Sequence, residues 1–136
     1  MALFYVDASA LVKLVRDEPE SDALRAFLAD ADLVSCELVL TEVPRAIRRA
    51  VQRDPGLLEL LIARAGEALD AVALLPLDRA LLLAAGALAE PALRALDAIH
   101  VAAAADVSPV DAFVSYDERQ AAAARLGGIR TVAPGR

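Results

Sequence analysis

Four acidic residues stand where a carboxylate needs a reason: Asp7 in "LFYVDASALVKL", Glu42 in "LVLTEVPRAIRR", Asp97 in "LRALDAIHVAAAA" and Asp117 in "AFVSYDERQ". Each has an ordinary account when taken alone. Asp7 and Asp117 precede helical patterns and suit helix capping. Glu42 has Arg45 one turn on, and Asp97 has Arg94 one turn back, as ion-pair partners. Taken together they suggest a different chemistry. A carboxylate on an apolar helix is costly to bury unless it is paired, protonated or bound to metal. If the four shared one cleft, a single like-charge pair at ~4 Å would cost roughly 4 kcal/mol at an effective dielectric of 20. Several such pairs would raise carboxyl pKa values or open the site. A hard divalent cation offsets the repulsion, and Mg²⁺ or Mn²⁺ prefers oxygen ligands. Asp111 precedes the strand that Asp117 follows, so it lies at the opposite end and is left out of the set.

The elements that must position these groups alternate. Short apolar runs at 3–6, 32–36, 71–76, 112–116 and 129–133 read as strands. Helical spacing covers 9–16 with Ser9 as its cap, 18–31 with Pro19 in its first turn, and 37–53 with Pro44 inside. Further helical stretches are 54–69, opened by Asp54 and Pro55, then 78–89, 91–105 and 117–127, the last closed by Gly127. Buried strands alternating with helices predict an α/β fold, a three-layer α/β/α sandwich around a parallel sheet of about five strands. Residues 1–136 show no linker or repeat and are expected to form a single domain. Such open sheets bind ligands outside the carboxyl ends of their strands, which is where Asp7 and Asp117 fall.

No side chains outside the acidic set make a second kind of chemistry. Cys36 is the only cysteine and lacks an evident partner, so burial is its expected role. It permits no intrachain disulfide, which fits a reducing cytoplasm, the expected location. His100 is the only histidine, so a zinc site has no second imidazole or cysteine pair to use. Packing or a supporting hydrogen bond is its expected part. Lys13 is the only lysine and is expected to be solvated. The stretch before Asp7 is too short for a signal-peptide core. No apolar run approaches the ~20 residues of a membrane span.

The formal net charge is −6, which by itself argues against a nucleic-acid partner. The layout argues the other way. Thirteen of the fourteen basic residues are Arg, the side chain suited to bidentate phosphate contact. Glu42, Arg45, Arg49 and Arg53 follow one helical stripe, with Arg48 beside it. That stripe would lead an RNA backbone away from the carboxylates, or it is a solvated basic face.

In their order along nearly the whole chain, "VDASALVKL", "LTEVPRAIRR", "LRALDAIHVAAA" and "FVSYDERQAAAARLG" resemble the PIN domain, specifically the small stand-alone kind that acts as the VapC toxin of VapBC toxin–antitoxin pairs. The resemblance implies a Mg²⁺-dependent endoribonuclease, with Mn²⁺ as a substitute. It carries over Asp7, Glu42, Asp97 and Asp117 as catalytic residues. Asp7, Asp97 and Asp117 would hold metal, and Glu42 would bind metal or orient the attacking water. Ser115 falls where the family often lines the site with Ser or Thr, and with Arg45 and Arg49 it is expected to contact substrate. The implied partners are RNA and a VapB-type antitoxin, in a homodimer or a toxin–antitoxin hetero-oligomer, with no membrane. The apolar stretch "GLLELLIARAGEALDAV" could serve either interface.

Two rival readings compete. A receiver-like phosphoacceptor domain wants paired acids after the first strand and a late Lys, and this chain has neither. A catalytically silent binding module on the same fold would not need the acidic quartet.

Overall fold

The computed structural model describes residues 1–136. The elements run β1 (Leu3–Val6), α1 (Ala8–Val15), α2 (Ser21–Leu28), β2 (Asp32–Cys36), α3 (Val39–Ala50) and α4 (Pro55–Asp70). They continue with β3 (Ala73–Leu75), α5 (Arg79–Gly86), α6 (Ala95–Asp106), β4 (Ala112–Val114), α7 (Glu118–Leu126) and β5 (Thr131–Val132). The five strands form one sheet in the order β3-β2-β1-β4-β5, and every pairing is parallel. β1 therefore lies at the centre, in register with β2 (Tyr5 opposite Val34) and β4 (Tyr5 opposite Phe113). All parallel strands end on one edge, and the chain order changes direction beside β1. Asp7 stands at that switch point.

The two-residue period of the strands divides the core into two layers. Phe4, Val6 and Val114 pack with Leu11, Leu24, Val43, Ile47 and Leu61 of α1 to α4. Tyr5, Val34 and Phe113 point the other way, against Leu81, Ala98, Ala102 and Ala124 of α5 to α7. Alanines on that second side let the helices approach closely, and Tyr5 stacks on Phe113 with centroids 5.1 Å apart. The result is the expected α/β/α sandwich. No helix is long and apolar enough to cross a membrane.

Local chemistry sets the boundaries. Asp54 accepts from Leu57 N at 3.1 Å and Pro55 occupies the first turn of α4, as the sequence suggests. Of the two caps the sequence offers for α1, the structure uses Asp7, whose Oδ1 accepts from Ala10 N at 3.0 Å, and not Ser9. α2 begins at Ser21, so Pro19 lies in the preceding turn and not in the helix. α3 ends at Ala50, which leaves Arg53 outside the helical stripe. Pro44 lies within α3.

Lys13 is not solvated. It is 8% exposed, and its Nζ donates to Glu18 Oε2 at 2.7 Å and Glu20 Oε2 at 3.0 Å. It also sits 4.8 Å from the Tyr116 ring centroid. Arg136 reaches the same ring and donates to Glu20 Oε1 at 3.0 Å, and Tyr116 Oη donates to Pro134 O. The carboxyl-terminal residues are thus strapped to the α1–α2 loop through one buried amine. Hydrogen bonds from Lys13 and Arg136 hold the Glu20 carboxyl down at about 2. A depressed carboxyl contributes stability above its ordinary range and loses it as pH falls through the folded value. Lys13→Met is expected to lower Tm by a few degrees at pH 7. The gap between wild type and variant should close as pH falls from 4.5 toward 2 in thermal melts. A gap independent of pH over that range would show that the Lys13–Glu20 pair does not stabilise the strap.

Candidate active site

The four carboxylates share a feature that the sequence pattern only hinted at: each sits at the start of a helix. Asp7 caps α1 and Asp117 caps α7, its Oδ1 accepting from Gln120 N at 3.2 Å. Glu42 and Asp97 lie in the first turns of α3 and α6. Helix amino termini carry partial positive charge, which favours a carboxylate there. The parallel sheet brings the amino termini of α1, α3 and α7 to its carboxyl edge, and α6 adds its own. Capping and convergence are therefore the same geometry here, not alternatives.

Asp7 is the most constrained member. It is 1% exposed, and four donors occupy its two oxygens. Oδ1 accepts from Ser9 Oγ at 2.6 Å and from Ala10 N. Oδ2 accepts from Ser115 Oγ at 2.5 Å and Gln120 Nε2 at 3.2 Å. The two serines pass the constraint on. Ser9 Oγ accepts from Tyr116 N at 2.9 Å, and Ser115 Oγ accepts from Asp117 N at 3.0 Å. The loop after β4 is thus tied to Asp7 through two hydroxyls. Burial pushes the Asp7 carboxyl above the usual range, against the hydrogen bonds from Ser115, Ser9 and Ala10 N. Gln120 Oε1 is buried with no hydrogen-bond partner.

Glu42 does not pair with Arg45. Its Oε1 bonds His100 Nε2 at 2.6 Å. His100 is 1% exposed, and its Nδ1 lies 2.8 Å from Tyr5 Oη and 3.7 Å from Cys36 Sγ. Cys36 therefore has a partner, which its isolation in the sequence did not suggest. Burial alone would lower the His100 pKa; the bonds to Cys36 and Glu42 overcome this and hold it up at about 10. Asp97 forms no ion pair with Arg94. Its carboxyl is pushed up by burial first and then by the negative charges of Asp117 and Glu42. Asp97 thus lies within the electrostatic reach of Asp117 and Glu42, and the Ser115 hydroxyl, which donates to Asp7 Oδ2 and accepts from Asp117 N, joins Asp117 to Asp7.

A cleft of about 530 Å³ opens beside them, lined by Ser9, Lys13, Glu42, Arg45, Arg49 and Tyr116 among others. Arg45 and Arg49 also border an adjoining hollow with Arg48 and Gln52. None of these three arginines is in an ion pair. Asp111 lies at the other end of the sheet, accepting from Leu3 N at 2.7 Å. Sequence reasoning missed Gln120, Lys13 and Tyr116 as neighbours of the site. For Gln120 and Tyr116 the signal was a polar or aromatic residue within one turn of Asp117; for Lys13 it was a lone lysine one turn past Ser9 in α1.

The five-stranded parallel sheet with helices on both faces defines a three-layer α/β/α protein with carboxylates at the starts of four helices. The family model described as PIN domain matches residues 4–126. Ribonuclease VapC35 of Mycobacterium tuberculosis is 38% identical over 98% of this chain and 98% of its own. Ribonuclease VapC46 of the same organism is 40% identical over 98% of this chain and 99% of its own. The crystal structure of M. tuberculosis VapC20, a sarcin–ricin loop cleaving toxin, has the same fold at 17% identity, with a TM-score of 0.72 over 96% of this chain and 99% of that one. PAE2754 from Pyrobaculum aerophilum matches at 20% identity and a TM-score of 0.68, covering 96% of this chain and 84% of that one. The chain belongs to the PIN-domain family and, within it, to the VapC group.

Proposed function

We propose that residues 1–136 act as a single PIN domain and form a Mg²⁺-dependent endoribonuclease toxin of a VapBC-type pair, with Mn²⁺ as a substitute metal. What supports this reading is that Asp7, Glu42, Asp97 and Asp117 all stand at helix starts on the carboxyl side of the sheet, with Glu42 lining a cleft beside unpaired Arg45 and Arg49. The donors fit a hard divalent cation in type, all being carboxylate oxygens, and in charge, because Asp97 is held up by burial and then by the negative charges of Asp117 and Glu42. They do not close on one point: no three His, Cys, Asp or Glu side chains are set to hold a single ion. Asp7 has spent its lone pairs on four donors. Asp7, Asp97 and Asp117 would hold the cation, and loading would require Ser115 or Gln120 to release an Asp7 oxygen.

When bound, such an ion supplies an activated water and neutralises charge at phosphorus. The chain does the rest. Glu42 lines the cleft with Oε1 bonded to His100 and Oε2 free of protein partners, and orients the water. Ser115, expected to contact substrate, is 3% exposed and lies outside the cleft lining, so its part is to hold Asp7 in place. Arg45 and Arg49 take backbone phosphates, and Arg48 extends the track. A VapB-type antitoxin would cover this cleft, and exposed Leu57 and Leu60 of α4 offer apolar area for a second copy or for the antitoxin. The chain would work in the cytoplasm. The rival reading, a PIN fold that binds without cutting, draws on the saturation of Asp7.

Thermal melts with added metal separate the two. A ligand that binds only the native state at 100 times its Kd adds about 2.7 kcal/mol. For this chain that is a rise of roughly 10 °C in Tm, and cleavage of a labelled RNA should appear at the same metal concentration. No shift at millimolar Mg²⁺ or Mn²⁺, together with intact RNA, would leave the silent binding module standing.

A further inference from the structure

His100 does more than fill space. It is 1% exposed, with the Tyr5 ring edge-on to it at 5.9 Å between centroids and Cys36 Sγ 3.7 Å from Nδ1. An imidazole there is costly unless both ring nitrogens are satisfied. Both are: Nε2 meets Glu42 Oε1 and Nδ1 meets Tyr5 Oη. An ionised carboxylate only accepts, so Nε2 carries the proton in that contact.

From this geometry we infer that His100 is the positioning residue for Glu42, holding its Oε1 and leaving Oε2 as the oxygen free of protein partners in a side chain that lines the cleft. The anchor is indexed to the rest of the site from two directions. His100 lies one turn after Asp97 on α6, so any movement of that helix carries both groups together. Tyr5 lies on β1 on the same face as Asp7, two residues on. The Tyr5–His100–Glu42 chain therefore sets the spacing between Glu42 and the carboxylates on two other elements. The catalytic consequence rests on the ribonuclease reading; the Glu42–His100 link does not.

Two measurements test it. Because the chain has one histidine, nitrogen-15 NMR of the imidazole needs no assignment. Wild type is expected to show a slowly exchanging Nε2-bound proton shifted downfield. In Glu42→Ala that proton should move upfield and exchange faster. An identical imidazole spectrum in wild type and Glu42→Ala would overturn the proposal. In RNA cleavage, His100→Gln keeps an amide N–H near the Nε2 position, whereas His100→Asn keeps only the Nδ1 side. His100→Asn should lose about 10- to 100-fold in kcat with KM unchanged, and His100→Gln should recover most of it. Equal losses in both variants would make His100 a packing residue. A wild type that cuts no RNA with either metal would remove the ribonuclease reading, and the NMR comparison would still decide the link.

Discussion

Asp97→Asn is expected to reduce metal-dependent RNA cleavage by about 100-fold or more, which corresponds to at least ~2.7 kcal/mol of barrier. The same variant should fold as well as wild type or better. Burial, and then the charges of Asp117 and Glu42, hold the Asp97 carboxyl above its ordinary value of 3.8. An acid whose folded pKa is raised binds its proton more tightly in the native state, so its contribution to stability falls as pH rises through that folded value. At pH 7 the ionised Asp97 is therefore a net cost, and Asn removes the charge at nearly constant shape. A Tm gain of about 2–4 °C at neutral pH without metal is expected, vanishing below pH 3.8. With Mg²⁺ the order should reverse, because wild type gains more from the ion. Cleavage at the wild-type rate in this variant would remove Asp97 from the site.

The second large effect concerns Asp7, where structure and chemistry can be separated. Asp7→Ala leaves Ser9 Oγ, Ala10 N, Ser115 Oγ and Gln120 Nε2 without their acceptor. Each buried unsatisfied donor costs about 1–3 kcal/mol, and the α1 cap is lost as well. A loss on the order of 3 kcal/mol or more, or roughly 10 °C in Tm, is expected from thermal melts. Asp7→Asn behaves differently. Its Oδ1 can still accept from Ser9 and Ala10. Its amide then faces Ser115, whose hydroxyl can turn to accept, and Gln120, whose amide can flip. The flip brings the unpartnered Gln120 Oε1 onto the new donor. Asp7→Asn should therefore melt within about 4 °C of wild type while losing cleavage. If both variants unfolded alike, the four-donor clamp would not be what holds this edge together.

Much of this was open to reading from the chain alone. The alternation of short apolar runs with helical spacing fixes a parallel sheet, because strands buried on both faces cannot alternate polar and apolar. Asp54 and Asp78 cap their helices through local hydrogen bonds that need no tertiary partner. The four acidic positions stand out because each breaks an apolar pattern or ends a strand. Local rules went wrong where two helix-compatible residues competed. Ser9 looks like a cap, but the strand ends one residue before Asp7, so Asp7 reaches the free N–H groups first.

What only the tertiary structure decided are the partners of buried polar groups. Lys13 reads as solvated in a helix pattern; Glu18, Glu20 and the ring of Tyr116 enclose it only after the loop and the carboxyl terminus fold back. Glu42 has Arg45 close in sequence, yet it bonds His100, far away along the chain, because α6 packs against the sheet beside β2, the strand that leads into α3. Spacing along a helix reports which residues share a face. It carries no information about what that face meets, since contacts between elements depend on how the sheet orders its strands. The sequence determined which groups could do the chemistry. The packing of α6 against β2, on the face of the sheet that carries Tyr5, determined which of them touch.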